Sequence, residues 1–197
     1  KIIGNLEKHH NPLISIVESD EFIKASEKAF DCTYNGTSTF YPWMVPDCLP
    51  KDFNIGVIYG ASGSGKSTLL KEFGNFSLHS WDNDKAIVSH FENPNEGINK
   101  LSAVGLNSIP TWYKSYNVLS TGQKFRADLS RSIKDNVVID EFTSVVDRNV
   151  AKAASVALSK YIKKNNIKNV VLATCHEDVL DWLEPDWVIN TNNGEVY

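Results

Sequence analysis

Apolar residues are arranged in two ways along this chain. In Ile55 to Tyr59, Val137 to Ile139 and Val170 to Ala173 they follow one another with little polar alternation and are rich in β-branched types. Strands covered on both faces read this way, so the three runs predict a central, mostly parallel sheet. Between the last two, Val150, Ala153, Ala154, Ala157, Leu158, Tyr161 and Ile162 recur at helical spacing until Asn165-Asn166 ends the run. A helix joining two parallel strands is a βαβ unit. A second helix is predicted from Ser120, because Phe125, Leu129 and Ile133 recur every four residues. A third is expected around Glu21 to Phe30. Residues 1 to about 50 otherwise read as a β-rich or loop-like layer resting on the sheet. Residues 92 to 118 carry Pro94, Gly97, Gly105 and Pro110 around Ile98, Leu101 and Val104, which predicts a small insert with one helix. With the helix from Ser120, the insert and its neighbour span about 92 to 134.

The strand at Ile55 to Tyr59 runs directly into Gly60-Ala61-Ser62-Gly63-Ser64-Gly65-Lys66-Ser67, which satisfies G-x-x-x-x-G-K-[ST] at every fixed position. Thr68 to Phe73 can continue as a helix. In such a loop the glycines allow the backbone N–H groups to close on a triphosphate, the lysine brings positive charge to the outer phosphates, and the hydroxyl of Ser67 can ligate Mg²⁺. The pattern alone also describes a Gly/Ser turn with a solvated lysine. The strand before it and the helix after it favour a nucleoside triphosphate with Mg²⁺, and make Gly60, Ser62, Gly63, Ser64, Gly65, Lys66, Ser67 and Thr68 candidate nucleotide contacts.

Two further clusters change this picture. Ser120 with Gln123 forms an S-x-x-Q capping box, which by itself needs no ligand. Val137-Val138-Ile139-Asp140-Glu141 is an apolar strand ending in two carboxylates. By itself it could end in a solvated turn; behind a phosphate loop, Asp140 suits a metal and Glu141 suits an attacking water.

In order, the phosphate loop, Leu119-Ser120-Thr121-Gly122-Gln123, Val137 to Glu141, Thr143-Ser144-Val145-Val146-Asp147, Ala173-Thr174-Cys175-His176 and the closing segments Asp186 to Ile189 and Gly194 to Val196 resemble the motifs of ABC-type ATPases. The likeness covers about residue 30 to the C-terminus. It implies an α/β phosphate-loop NTPase fold with a central sheet flanked by helices. It also implies a single ATPase domain over 1–197. In that family two copies meet head to tail, each nucleotide lying between one copy's phosphate loop and the other's signature. Ser120, Gly122 and Gln123 would then contact the partner's nucleotide and Asp147 would couple the two sites. Glu141 and His176 would act catalytically, and Ser67 and Asp140 would hold the metal. The aromatic that stacks on adenine is expected at Tyr34 or Phe30.

The chain also departs from the family pattern. Phe142 stands where a proline is usual. No glutamine marks the strand end that senses the metal, and Ser89 or His90, after Ala86-Ile87-Val88, are the candidates for that place. Only 54 positions separate Lys66 from Ser120. That distance leaves no room for the longer helical subdomain of transporter subunits or for a coiled-coil arm. The resemblance is therefore to small stand-alone members of phage and bacterial genomes, with no transmembrane partner expected.

With 197 residues, 42% of them hydrophobic, the chain has material for one core. Its net charge of −4 argues against a dominant nucleic-acid face, although nucleic acid stays open as a partner. Cys32, Cys48 and Cys175 make neither a disulfide framework nor a zinc pattern. No run approaches the roughly 20 apolar residues of a membrane span. A cytoplasmic, ATP-dependent homodimer acting as a switch or clamp is the leading expectation. A nucleotide-sensing module with little turnover and a DNA-acting ATPase are the alternatives.

Overall fold

The computed structural model describes residues 1–197. Seven strands form the main sheet. In chain order they are β1 (Gly4–Asn5), β4 (Ile55–Tyr59), β5 (Asn75–Phe76), β6 (Val137–Ile139), β7 (Val170–Thr174), β8 (Trp187–Asn190) and β9 (Glu195–Val196); β2 (Leu13–Ile16) and β3 (Thr37–Phe40) pair separately as an antiparallel hairpin. Across the main sheet the order is β1-β9-β8-β4-β7-β6-β5. The five strands from β8 to β5 are parallel, and β9 and β1 close one edge antiparallel.

The three apolar runs are the centre of this sheet. Every residue of β7 is buried, as are Ile55 to Ile58 in β4, because helices cover both faces. One layer of core contains Ile55, Val57, Val137 and Leu172 beneath α5 (Thr121–Ser132) and α6 (Arg148–Lys164). The other holds Ile58, Val171, Ile189 and Trp187 with Leu69 and Leu70 of α2 (Lys66–Leu70). The fold class expected from the sequence is the one observed, and no helix is long and apolar enough to cross a membrane.

The helices follow their signals. Asp20 caps α1 (Glu21–Phe30) by accepting from the Ile23 N–H, and the helix ends at Asp31 with φ 48°. None of its ten residues is buried, and all four residues of β2 are exposed, so the N-terminal layer contributes little to the core. The insert holds two helices rather than one: α3 (Pro94–Ala103), capped by Asn93, and the short α4 (Ile109–Trp112). Ala86 to Val88 is not a strand. Ile87–His90 is a 3-10 turn whose Ile87 is buried, and its N–H donates to the Lys114 carbonyl. The strand beside β6 is instead β5, after the phosphate-loop helix.

Trp187 shows how tightly the second layer is filled. Its indole is 1% exposed, with Phe53 and Phe73 at centroid distances of 5.3 and 5.2 Å. It lies across Gly56 of the neighbouring strand, where an added Cβ would come within 2.1 Å of the indole ring. Gly56→Ala must therefore displace a fully packed indole, and a loss of about 1–3 kcal/mol is expected for such overpacking. Urea unfolding checks it; a variant as stable as the parent would mean that the indole has room to move.

Candidate functional site

The phosphate loop spans the end of β4 and the start of α2. Gly65 precedes Lys66 with φ 94°, a backbone conformation that a side chain makes costly. Two aromatic rings cover it: Phe40 Cζ and Trp43 Cδ1 would each lie 3.1 Å from a Cβ placed there. Trp43 also donates its indole N–H to the Ser64 carbonyl at 2.8 Å. From the end of the neighbouring strand β8, Thr191 pairs with the Ser64 hydroxyl at 2.6 Å, and Asn192 accepts from the Ala61 N–H at 2.8 Å. Ser64 and Gly60 thus belong to the loop's support. Gly60 donates to the Thr174 carbonyl at 3.2 Å, tying the loop to β7.

The loop lines a cleft of about 290 Å³ with Ser62, Gly63, Gly65, Lys66, Ser67 and Thr68, and with Phe40 and Glu141. Lys66 is 7% exposed, and its amine donates to the Ala61 carbonyl at 2.7 Å, so a cation stands at the floor of the cleft. Across from it, β6 ends in Asp140, whose carboxylate accepts from the Glu141 N–H at 2.8 Å. Glu141 has φ 50° and Thr143 φ 64°, on either side of Phe142. Non-glycine residues in this region are uncommon, and two in three positions make a tight, over-determined turn. It leaves the Glu141 side chain exposed, where it lines both the loop cleft and a second cavity of about 440 Å³ beside α5. Asp140 lines only the second.

Phe142 explains its own departure from proline. Its ring is fully buried and packs 5.8 Å from Phe125, and its N–H donates to the Ala173 carbonyl at 2.8 Å, a bond proline cannot make. Just beyond β7, His176 donates its N–H to Thr174 Oγ1 at 3.1 Å, while Thr174 donates that hydroxyl's proton to the Phe142 carbonyl at 3.0 Å. The His176 Nδ1 lies 3.3 Å from Thr143 Oγ1, which leaves Nε2 as the nitrogen without a partner in the chain.

Ser120 caps α5. Its Oγ accepts from the Gln123 N–H at 3.2 Å, and the Gln123 side chain accepts from the Ser120 N–H at 3.0 Å. Gln123 is thereby engaged in the cap, and the amides of Thr121 and Gly122 remain as the free donors of the first turn. Ser120 is exposed, and neither it nor Gly122 lines the phosphate-loop cleft of its own chain. Gly122 sits beside Val146, 3.6 Å from where its Cβ would be, so the signature turn adjoins the turn that ends in Asp147. Asp147 caps α6, accepting from the N–H groups of Asn149 and Val150 at 2.9 and 3.0 Å.

Four expected residues stand elsewhere. Tyr34 donates its hydroxyl to the Val17 carbonyl and, with Phe30, lines a cavity against α1, away from the loop. The aromatics that reach the loop are Phe40 and Trp43. His90 accepts from the Asp82 N–H at 2.9 Å, contacts the Ala86 carbonyl at 2.9 Å and packs edge-on against Trp81, so its ring is committed within the segment 81–90. Ser89 lies on the same 3-10 turn. The chain that leaves the sheet beside β6 does so after Phe76, at Ser77 to Ser80, where Ser77 Oγ and His79 Nε2 are 2.8 Å apart. Burial holds the His79 imidazole below its ordinary pKa, and Arg131 and Lys134 add to this.

As a donor set for Mg²⁺, the Ser67 hydroxyl and the Asp140 carboxylate are hard oxygen ligands of the right kind. No group of three or more His, Cys, Asp or Glu side chains converges, so an ion here would draw its other ligands from phosphate and water.

No protein-family model and no curated protein matches the sequence. Solved structures do match in fold. An ATP-binding cassette, MJ0796, in a dimeric post-hydrolysis state bound to ADP and Pi, superposes with a TM-score of 0.58 at 15% identity, over 81% of this chain and 89% of that one. A dimeric structure of the same bacterial ABC transporter cassette gives 0.56 at 16% identity, over 80% and 88%. A putative metal-chelate type ABC transporter in an inward-facing conformation gives 0.58 at 18% identity, over 81% and 76%. With a parallel sheet ordered around β4, a phosphate loop at its end and the capped α5 beside it, the chain has the fold of the ABC-type ATPase cassettes.

Proposed function

We propose that this chain binds and hydrolyses ATP at a site completed by a second copy, and that the cycle of closing and reopening makes it a switch or clamp. The observation that carries this reading is that the cleft containing Lys66 and Glu141 contains neither Ser120 nor Gly122 of the same chain. Those two residues sit at an exposed helix N-terminus with two unpaired amides, a ready anion site that its own chain leaves unfilled.

In this reading the loop amides and Lys66 bind the triphosphate, and Phe40 and Trp43 fix the loop against which it rests. Ser67 and Asp140 would hold Mg²⁺, which neutralises phosphate charge when bound. Glu141 accepts a proton from the attacking water, and His176 presents Nε2 toward the terminal phosphate, oriented through Nδ1 by Thr143. Ser120 and Gly122 of the second copy close the site, and Asp147 lies at the join.

Mixing two inactive variants tests this directly. Lys66→Ala removes the cation of every phosphate loop, and Ser120→Arg blocks every signature. A mixed dimer contains one site with both defects and one with neither. At an ATP concentration near the parent's Kd, where the Lys66→Ala loop stays nearly empty, each variant alone is expected to be almost inactive, and the mixture to recover part of the parent's phosphate release. Activity that stays at the level of the separate variants at all mixing ratios would refute a site shared between copies.

A further inference from the structure

One arginine joins two turns that have separate tasks in the reading above. Arg148 is the first residue of α6, next to Asp147; Asp178 follows His176 by two positions. Their side chains meet across 30 positions of sequence, with Arg148 Nε donating to Asp178 Oδ2 at 2.8 Å and Nη2 to Oδ1 at 2.5 Å. This is a fork-to-fork pair, the geometry in which arginine fixes direction as well as distance. The guanidinium is steadied on a second side by the Trp182 ring, 5.5 Å from its centroid. Its remaining nitrogen, Nη1, lies 3.5 Å from Thr143 Oγ1, the same hydroxyl that meets His176 Nδ1. Thr143 is fully buried, at φ 64°, with its hydroxyl between these two partners.

We propose that Arg148 and Asp178 are positioning residues, a clamp that ties the Asp147 turn to the His176 segment so that a second copy's arrival at Asp147 fixes the histidine facing the terminal phosphate. The proposal rests on the composite-site reading of the preceding subsection. The Arg148 hydrogen bond, the leading cause, holds the Asp178 carboxyl below its ordinary pKa, so the pair is intact at neutral pH. At 38% and 42% side-chain exposure, the pair matters little to folding stability, which makes it easy to separate from a structural role.

The test is a double-mutant cycle on Arg148→Ala and Asp178→Ala, measuring turnover and ATP affinity in the full chain. Each single variant is expected to keep the parent's melting temperature and its ATP affinity within about twofold, and to lose about ten- to a hundredfold in turnover, as a catalytic group displaced by about an ångström does. The double variant should lose no more than the worse single, because either change already opens the clamp. Arg148→Lys, which keeps the charge but not the fork, should behave like Arg148→Ala. Losses that multiply in the double variant, turnover unchanged in the singles, or a defect confined to ATP affinity would each overturn the clamp while leaving the ATPase reading intact. A parent chain with no ATP turnover would overturn both.

Discussion

Glu141→Gln is expected to cut ATP turnover by about two to three orders of magnitude, within the range that a positioned proton acceptor contributes. Three features support that proposed role for Glu141. Its carboxylate is exposed in the cleft that holds Lys66, and the neighbouring Asp140 carboxylate is turned back onto the Glu141 N–H. The turn that presents it is fixed on both sides, by the buried Phe142 ring and by the Phe142 N–H to Ala173 bond. Glutamine has the same shape and meets the same φ of 50°, so the substitution removes the base without new backbone strain. Binding should survive. If closing requires only the bound triphosphate, the variant will collect as an ATP-bound dimer that the parent forms only in passing, visible as a shift in size-exclusion elution with ATP and Mg²⁺. Parent-like phosphate release with no shift would remove Glu141 from the catalytic position.

How much of this site was readable beforehand depended on whether its signal was local. The runs that became β4, β6 and β7 are continuous because helices cover both faces of the parallel sheet. The α5 cap was legible because Ser120 and Gln123 lie three positions apart and satisfy each other. Where the relevant partner is distant in sequence, the local pattern carries no signal of it. Nothing near Tyr34 announces that the chain carries Phe40 and Trp43, not Tyr34, to Gly65. Thr191 and Asn192, which support the loop from the β8 end, are 127 and 131 positions from the loop residues they bond. The Arg148 to Asp178 pair is of the same kind.

Two misreadings have a different cause. Ala86-Ile87-Val88 has the composition of a strand, yet Ile87 alone is buried and the segment turns as a 3-10 helix. The strand that fills the place beside β6 is two residues long, Asn75 and Phe76, both exposed. A strand so short takes its conformation from the ladder it joins, not from its own side chains, so no periodicity betrays it. The segment that follows it, Ser77 to Ser80, was missed for that reason.

Lys66→Ala is expected to weaken ATP binding by about ten- to a hundredfold, the worth of about one hydrogen bond to a charged group in a secluded cleft. Lys66 is the only cation among the residues lining that cleft. Its side chain is already 93% withdrawn from solvent and its amine bonds only the Ala61 carbonyl, so the charge is held in place before a phosphate arrives. Removing it should leave the folded chain intact, because Leu69 and Leu70 anchor the helix behind it and the loop keeps its ties to Trp43, Thr191 and Asn192. The separation is measurable in a melting experiment. A ligand that binds only the folded state stabilises it by RT ln(1 + [L]/Kd), so at an ATP concentration about a hundred times the parent's Kd the parent gains about 2.7 kcal/mol. The variant, at the same concentration, should keep only a fraction of that gain while its melting temperature without nucleotide stays near the parent's. Equal stabilisation of both proteins by ATP would mean that the triphosphate binds somewhere other than this loop.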